Sequence, residues 1–545
     1  ERRKNLLYLN NKNKTFTEAA QRYGIADDGY STQAAFFDYD RDDDLDLVVI
    51  NHSLQQYTTG AQENPSLRTQ KNKNYATRLY RNEGNHFTNV TDSAGIISNV
   101  LSFGLGIAIT DVNNDGWPDM YLSNDFSEQD YCFINNRNGT FAEQSHTLFT
   151  QQSLYSMGNE AADLNNDGLT DIITLDMLPE SNYLQKMHSG AENFDKFQTL
   201  FANGFSPQYS RNMLQLNNGN GTFSEVGQWA GISNTDWSWA ALAQDFDNDG
   251  HKDIFITNGY VKDYTDMDFL KYSADKATQG AANQKAMMAD ILQKMPTIKL
   301  ANYAFKNNGQ AAFTNTTQAW GLQEPGISAG AAYADLDNDG DLDLVVNNSN
   351  AEASLYRNNS QQNPANRYLQ IKLKGSPGNP WAVGAKVTLH SSAKAGGKLQ
   401  MQELNPTRGF QSSSDYTLHF GFDSTFIPES VTVHWPDGKV SNYRQHAGIM
   451  ANTLMLEYAT AQWDTTHRPQ EITQWFGTAQ PLPFTHIENP YNDFSVQGLL
   501  PEYYSRQGPA LAVADVNGDG QKDIFTGGAI GQPRALLLGK TGGLF

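Results

Sequence analysis

The sequence predicts an all-β protein: a β-propeller, partial here, then a small β-domain and the start of a second propeller. Three observations lead there. An acidic loop flanked by short apolar runs recurs six times, and a hairpin built on an Asn/Gly turn alternates with it. The 545 residues are also poor in charge (18%) and well supplied with Gly (45 residues) and aromatics (11%). Such a composition reads as strands and turns rather than long helices or coiled coils. The aromatics give the chain too much apolar surface to stay disordered, and its length exceeds one ordinary hydrophobic core.

Internal repetition of this kind fixes the architecture. In the first loop Asp38, Asp40 and Asp42 hold positions 1, 3 and 5, Asp44 holds position 7 and Asp46 position 9. The second loop places Asp111, Asn113, Asp115, Trp117 and Asp119 there, and the third Asp163, Asn165, Asp167, Leu169 and Asp171. The fourth has Asp245, Asp247, Asp249, His251 and Asp253, and the fifth Asp335, Asp337, Asp339, Asp341 and Asp343. The sixth has Asp515, Asn517, Asp519, Gln521 and Asp523.

The chemistry of such a loop is that of a calcium site. Side-chain oxygens at positions 1, 3 and 5 converge on one hard cation, a backbone carbonyl at 7 adds a ligand, and Gly at 6 lets the chain turn. A carboxylate closes the site at position 9. An EF-hand closes at position 12 between helices, whereas these loops run into Asp46-Leu-Val-Val-Ile50 or Asp343-Leu-Val-Val346, which read as strands. The first loop carries Asp43 in place of Gly; Asp tolerates left-handed backbone better than most residues, so the site is expected to survive. Asp, Asn and Gly are ordinary turn residues too. Six copies in register, with carboxylates that repel strongly when no cation separates them, point to about six structural Ca2+ sites. Twenty-one carboxylates fall at positions 1, 3, 5 and 9, and six Ca2+ would take the net charge from −21 to −9.

That negative charge excludes a nucleic-acid partner, whose phosphates require a basic face, and disfavours docking on an anionic membrane. No apolar run approaches the roughly 18 residues of a transmembrane segment. Cys132 is the single cysteine, which excludes an intramolecular disulfide framework and a cysteine-built metal site.

The alternating hairpin appears at Leu7–Phe16, Leu79–Phe87, Phe133–Phe141, Leu214–Phe223 and Phe305–Phe313. One loop-hairpin plus one turn-hairpin makes four strands, which is one propeller blade. The Asn-Gly-Thr triplets match a glycosylation acceptor as well, and hairpin-turn chemistry explains them more simply.

With these residues the chain resembles the FG-GAP/VCBS calcium-loop repeats of integrin α-subunit propellers, and more closely the bacterial relatives of the cartilage acidic protein family. Leu175-Asp-Met-Leu-Pro-Glu180, Asn234-Thr-Asp-Trp-Ser-Trp-Ala240 and Thr257-Asn-Gly-Tyr260 carry that similarity. From about 366 to 460 it resembles the ASPIC/UnbV domain, through Gly384-Ala-Lys-Val-Thr388, Arg408-Gly-Phe-Gln-Ser412, Leu418-His-Phe-Gly421 and Val433-His-Trp-Pro-Asp-Gly438. The resemblance implies a propeller of seven blades when complete.

The expected organisation is a propeller over 1–360 with five calcium loops, an ASPIC/UnbV-like domain over 366–460, a connector over 461–508, and the first blade of a second propeller over 509–545. Long spacings between loops mark insertions near 53–77, 177–210 and 260–303, the last with an amphipathic helix from Ala282 to Lys294. Leu7–Phe16 and Leu536–Phe545 occupy the same phase of the repeat, so the chain is expected to be a fragment that begins and ends within blades.

No catalytic motif survives scrutiny. Gly326-Ile-Ser328-Ala-Gly330 spells a hydrolase elbow, but that elbow needs a strand-to-helix turn and here a strand is expected. There is no zinc helix, phosphate-binding loop or dinucleotide fingerprint. The His251 ring is expected to face solvent. Trp237 and Trp239, with Tyr260, Tyr264 and Phe269, and Phe194, Phe197, Phe201, Phe205 and Tyr209, suit sugar stacking or inter-blade packing, the latter favoured. The chain therefore reads as an exported, non-catalytic calcium-binding scaffold, extracellular, at the cell surface or periplasmic, recognising a glycan or protein ligand. The alternatives are a calcium-dependent, lyase-like polysaccharide enzyme and a structural adhesin. Oligomeric state stays open.

Overall fold

Short apolar runs cut by Asp/Asn/Gly turns give antiparallel meanders, and the acidic loop is each time the turn between first and second strands. The computed structural model describes residues 4–54, 65–97, 99–126, 128–188, 194–278, 284–360, 366–444, 452–463, 481–498, 500, 503–541 and 545. They form two compact units, Glu1–Pro469 and Gln470–Phe545.

In the first unit a two-stranded hairpin (Tyr8–Asn10, Phe16–Glu18) precedes the sheets. Blade one is Ser31–Phe37, Asp46–Asn51, Arg78–Asn82 and Phe87–Asn89; blade two is Gly104–Thr110, Asp119–Asn124, Tyr131–Asn135 and Phe141–Glu143. Blade three is Asn159–Ala162, Asp171–Thr174, Met213–Asn217 and Phe223–Glu225, and blade four is Ser238–Gln244, Asp253–Asn258, Tyr303–Asn307 and Phe313–Asn315. A fifth sheet has three strands, Ser328–Ala334, Asp343–Asn348 and Ser354–Tyr356. The fold is all-β and propeller-like.

The second strands Asp46–Asn51, Asp119–Asn124 and Asp253–Asn258 are buried at every position, whereas Asp343–Asn348 of the fifth sheet exposes Val345 and Asn347. First strands approach one another most closely. A Cβ on Gly158 would lie 2.1 Å from the Trp239 carbonyl, which already accepts the Gly158 N–H at 3.0 Å; only Gly fits there. Ser328 opens a strand and donates to Asn348 Oδ1 at 2.8 Å, so the Gly326–Gly330 run is no nucleophile elbow.

The insertions carry the longer helices. Asn182–His188 and Phe194–Ala202 lie within blade three, and Met267–Thr278 and Gln284–Lys294 within blade four. The helix expected from Ala282 thus appears from Gln284, and 279–283 lie outside the described residues, as do 55–64 of the first insertion.

Residues 367–463 make two facing sheets. One joins Leu418–Phe422, Arg367–Lys374 and Thr453–Glu457; the other joins Leu399–Glu403, Lys386–Ser391, Pro428–His434, Lys439–Arg444 and Gln462–Trp463. Leu369, Ile371, Val387, Leu389, Phe420 and Val433 fill the space between them, as alternation along each strand dictates. This small domain belongs to the same compact unit as the blades. Its hairpin Thr407–Arg408/Ser412–Ser413 enters among the first strands: Gly409 bridges to Asn159, and Phe410 packs on Trp239 at 5.0 Å.

The second unit holds one three-stranded antiparallel sheet, Leu511–Ala514, Asp523–Thr526 and Ala535–Leu537, around the sixth loop. Of the expected connector, 464–480, 499 and 501–502 lie outside the described residues.

Candidate metal centres

Each loop folds on its own carboxylates. In the second to sixth loops the first-position Asp accepts the amides of positions 5 and 6: Asp111 takes Asp115 N and Gly116 N, both at 2.9 Å, and Asp245 takes Asp249 N at 3.0 Å and Gly250 N at 2.8 Å; Asp38 takes Asp43 N at 3.1 Å. The fifth-position Asp accepts the amide of position 7, from Asp44, Trp117, Leu169, His251, Asp341 and Gln521 in turn. Position 6 is left-handed throughout, Asp43 included, at φ 75°. The side chains of positions 1, 3 and 5 are thereby turned inward.

Oxygens converge as a cation site requires. Single carboxylate oxygens of Asp38, Asp40 and Asp42 lie within 4.8 Å of one another, as do those of Asp335, Asp337 and Asp339 and those of Asp245, Asp247 and Asp253. In the second, third and sixth loops the third-position candidate is an amide oxygen instead, of Asn113, Asn165 and Asn517. Asp38 Oδ1, Asp40 Oδ1, Asp44 Oδ1 and Asp247 Oδ1 are buried with no hydrogen-bond partner. A buried carboxylate oxygen without a donor is costly, and a divalent cation would satisfy it. The residues present therefore fit calcium.

Burial pushes Asp38 up to about 7, with Asp42 and Asp40 adding like-charge repulsion. Burial likewise takes Asp46 to about 8, Asp171 to about 7 and Asp44 to about 6. Asp119, Asp245 and Asp253 are raised far above the carboxylate range by burial, and neighbouring aspartates add to it. Asp515, in the open sheet of the second unit, is instead lowered by the amides it accepts.

Three features of the loops lay beyond sequence reasoning. The ninth-position Asp is a clamp as well as a candidate ligand. Asp119 accepts Val112 N at 2.9 Å and Asn135 N at 2.8 Å, tying loop to third strand, and Asp46, Asp171, Asp253, Asp343 and Asp523 repeat this. The Asn at the end of the third strand staples blades together: Asn135, Asn217, Asn307 and Asn358 donate to the carbonyls of Tyr39, Val112, Leu164 and Phe246 in the preceding loop, at 2.7–2.9 Å. Position 4 links successive loops, Arg41 to Gly116 O, Asn166 to Gly250 O at 2.9 Å and Asn248 to Gly340 O at 3.1 Å.

The small domain covers this face. Lys386 Nζ lies 3.1 Å from Asp111 Oδ2, Gln370 donates to Asp335 Oδ2 at 2.7 Å, Ser376 donates to Asp43, and His419 Nε2 pairs with Asn248 Oδ1 at 2.6 Å. Among the first strands Arg408 forms a buried ion pair with Glu160. A cavity of about 470 Å³ remains between the domain and the first two loops, lined by Asp38, Arg41, Asp111, Lys386, Glu403 and Trp435 among others.

The His251 ring does not face solvent as expected. It is half-buried, with Nδ1 3.3 Å from Asn166 Nδ2, because the position-4 link draws the two loops together. Trp237 is buried against Tyr260 with ring centres 4.1 Å apart, and Phe205 and Phe269 are buried too. These aromatics pack, while Phe201 and Tyr264 are exposed; the side chain of Phe194 lies outside the described residues. Among the described residues one more group, His188, Asp263 and Asp266, gathers three potential ligands. Its carboxylates are already employed at the start of helix Met267–Thr278: Asp263 accepts Thr265 N and Asp266 N, Asp266 accepts Phe269 N, and His188 lies 3.2 Å from Asp263. The group ties two insertions together.

Comparison with known proteins agrees with this architecture. The ASPIC and UnbV family matches residues 375–462, and the FG-GAP-like repeat matches 1–49, 111–174, 193–256 and 300–346. Cartilage acidic protein 1 of Xenopus tropicalis is 24% identical over 391 residues, 71% of this chain and 49% of its own length. That of Homo sapiens is 26% identical over 295 residues, covering 49% and 43%. The chain spans about half the length of the curated relatives it matches. Among solved structures, the V. cholerae biofilm matrix protein Bap1 is similar at a TM-score of 0.27 and 10% identity, over 79% of this chain and 61% of that one; so low a score carries no argument.

Proposed function

Since the chain consists of FG-GAP-like repeats and an ASPIC and UnbV domain and is a relative of cartilage acidic protein 1, we propose that it is an exported, non-catalytic, adhesion-like scaffold. In this reading calcium sets its loops, and the insertions opposite them present a surface to a glycan or protein ligand. The observation that carries it is the set of buried, donorless carboxylate oxygens on Asp38, at position 1 of its loop, and on Asp40 and Asp247, both at position 3 of theirs. Loops of this charge suit the calcium concentrations found outside cells, which supports an extracellular, cell-surface or periplasmic location. No helix among the described residues is long and apolar enough to cross a membrane.

Function rests on division of labour, with rigid blades holding variable insertions. The test passes the protein over acidic and neutral polysaccharides with calcium and with chelator, reading retention and the ultraviolet absorbance of a new carbon–carbon double bond. Retention without absorbance supports the scaffold. Calcium-dependent absorbance overturns its non-catalytic part, and absence of both moves the ligand from glycan to protein.

A further inference from the structure

At the end of each third strand the ninth-position Asp accepts one backbone amide, of Asn82, Asn135, Asn217, Asn307, Asn358 or Gly539, and the residue just before that one co-varies with position 3 of the loop beside it. Where position 3 is Asp (Asp40, Asp247, Asp337), that residue is basic: Arg81, Lys306 and Arg357. Where position 3 is Asn (Asn113, Asn165, Asn517), it is aliphatic: Ile134, Leu216 and Leu538. All six repeats obey the rule. Geometry supplies the cause, because the ninth-position clamp fixes the third strand against the loop. Lys306 Nζ contacts Asp247 and lies 2.7 Å from Asp249 Oδ2. Arg357 lies 2.7 Å from Asp337 Oδ2 and 3.1 Å from Asp339 Oδ2. Arg81 holds the same place beside the first loop and bonds Glu83.

We infer that Arg81, Lys306 and Arg357 are charge partners of the third-position ligand, each offsetting the carboxylate that an Asp in that position adds and so setting the loop's affinity for a divalent cation. An Asp paired with a cation and an Asn beside an aliphatic residue contribute equally. An unpaired Asp would leave a loop over-charged when empty, since like charges at this spacing repel. In loop two Arg137, from the hairpin turn, reaches Asp115 at 2.9 Å, so a fifth-position Asp too can be balanced from the same hairpin. The metal part of this inference rests on the calcium reading above; the pairing itself does not.

The experiment is a cycle on the full chain with Lys306→Leu, Asp247→Asn and the double variant, which recreates the Asn165/Leu216 combination. In chelator, Lys306→Leu should melt earlier than the parent and the double variant should recover, with no metal involved. Under titrated calcium, hydrogen exchange of the peptide covering 245–258 reads this loop alone. A unit charge acting on a divalent ion across about 6 Å in a water-like dielectric is worth about tenfold. Lys306→Leu should therefore tighten calcium about tenfold, Asp247→Asn should weaken it by at least as much, and the double variant should return to within about threefold of the parent. Single and double variants alike in both readouts would overturn the pairing. Recovery in chelator, with calcium leaving exchange unchanged even in the parent, would keep the pairing and sink the calcium reading and the claim on affinity with it.

Discussion

Replacing Arg408 with Met asks whether charge holds the small domain's hairpin among the first strands. The guanidinium pairs with Glu160, with side-chain exposures of 11% and 1%, and donates to Ala161 O at 3.2 Å and Glu403 O at 3.1 Å. Met keeps much of the volume and removes the cation, so Glu160 is left buried without a counter-ion. Breaking a buried pair from one side costs about 3–5 kcal/mol. For a unit as long as Glu1–Pro469, an unfolding entropy of about 2.1 cal/mol/K per residue makes each kcal/mol worth about 1 °C, so the melting temperature falls by about 3–5 °C at pH 8. Burial raises Glu160 to about 7, and Arg408 opposes that rise. A carboxyl whose folded value exceeds its unfolded one stabilises the fold fully below the unfolded value and loses that contribution as pH rises through the folded one. Without Arg408 the folded value climbs further, so the variant's deficit is largest above pH 7 and shrinks toward pH 5. Calorimetry at the two pH values reads this, and adding Glu160→Gln should restore most of the loss at pH 8. An equal deficit at both pH values, or no restoration in the double variant, refutes charge as the cause.

Other outcomes follow from the same face. Chelator should lower the melting temperature and calcium should restore it, since a site held at a hundred times its Kd contributes about 2.7 kcal/mol; an unchanged melt removes the ligand assignments. Asn307→Ala should cost about 1–3 kcal/mol, because the carbonyls of Leu164 and Lys252 both lose a buried donor, and urea denaturation of the variant measures it. His419 is pushed down to about 4 by burial, so the fold loses stability as pH falls from the ordinary histidine value toward 4. His419→Gln should flatten that acid limb of the melting profile by up to about 3 kcal/mol.

The loops were legible in the sequence because their chemistry is local: ligand spacing, the turn at position 6 and the strand after position 9 lie within one short window. Blade strands were legible for the same reason, through runs such as Asp46–Asn51. What escaped was set by residues far apart in the chain. Nothing near Asn135 announces that its amide serves Tyr39, and nothing near Arg408 announces Glu160. The His251 ring was misread because its neighbour, Asn166, belongs to another loop. Arg81, Lys306 and Arg357 were visible all along, but their meaning depends on the register that places each third strand against its loop.

The small domain covers the one face of the blades where carboxylates are crowded, and that placement couples its docking to the state of the loops. Its contacts fall on the ligand loops themselves: Lys386 on Asp111, Gln370 on Asp335, and Gly421 so near Asp245 that a Cβ there would lie 2.2 Å from Oδ2. A cation that fixes those carboxylates also fixes the surface on which the domain rests. Whatever favours the ordered loops then favours docking by linkage, and docking in turn favours the cation. Chelation should therefore raise hydrogen exchange not only in the loops but across the hairpin 407–413. Strand Arg367–Lys374, held inside the domain's own core by Leu369 and Ile371, should keep its protection. Loops that loosen while the hairpin stays fully protected would show the domain to be docked by the Arg408 plug alone, independently of calcium.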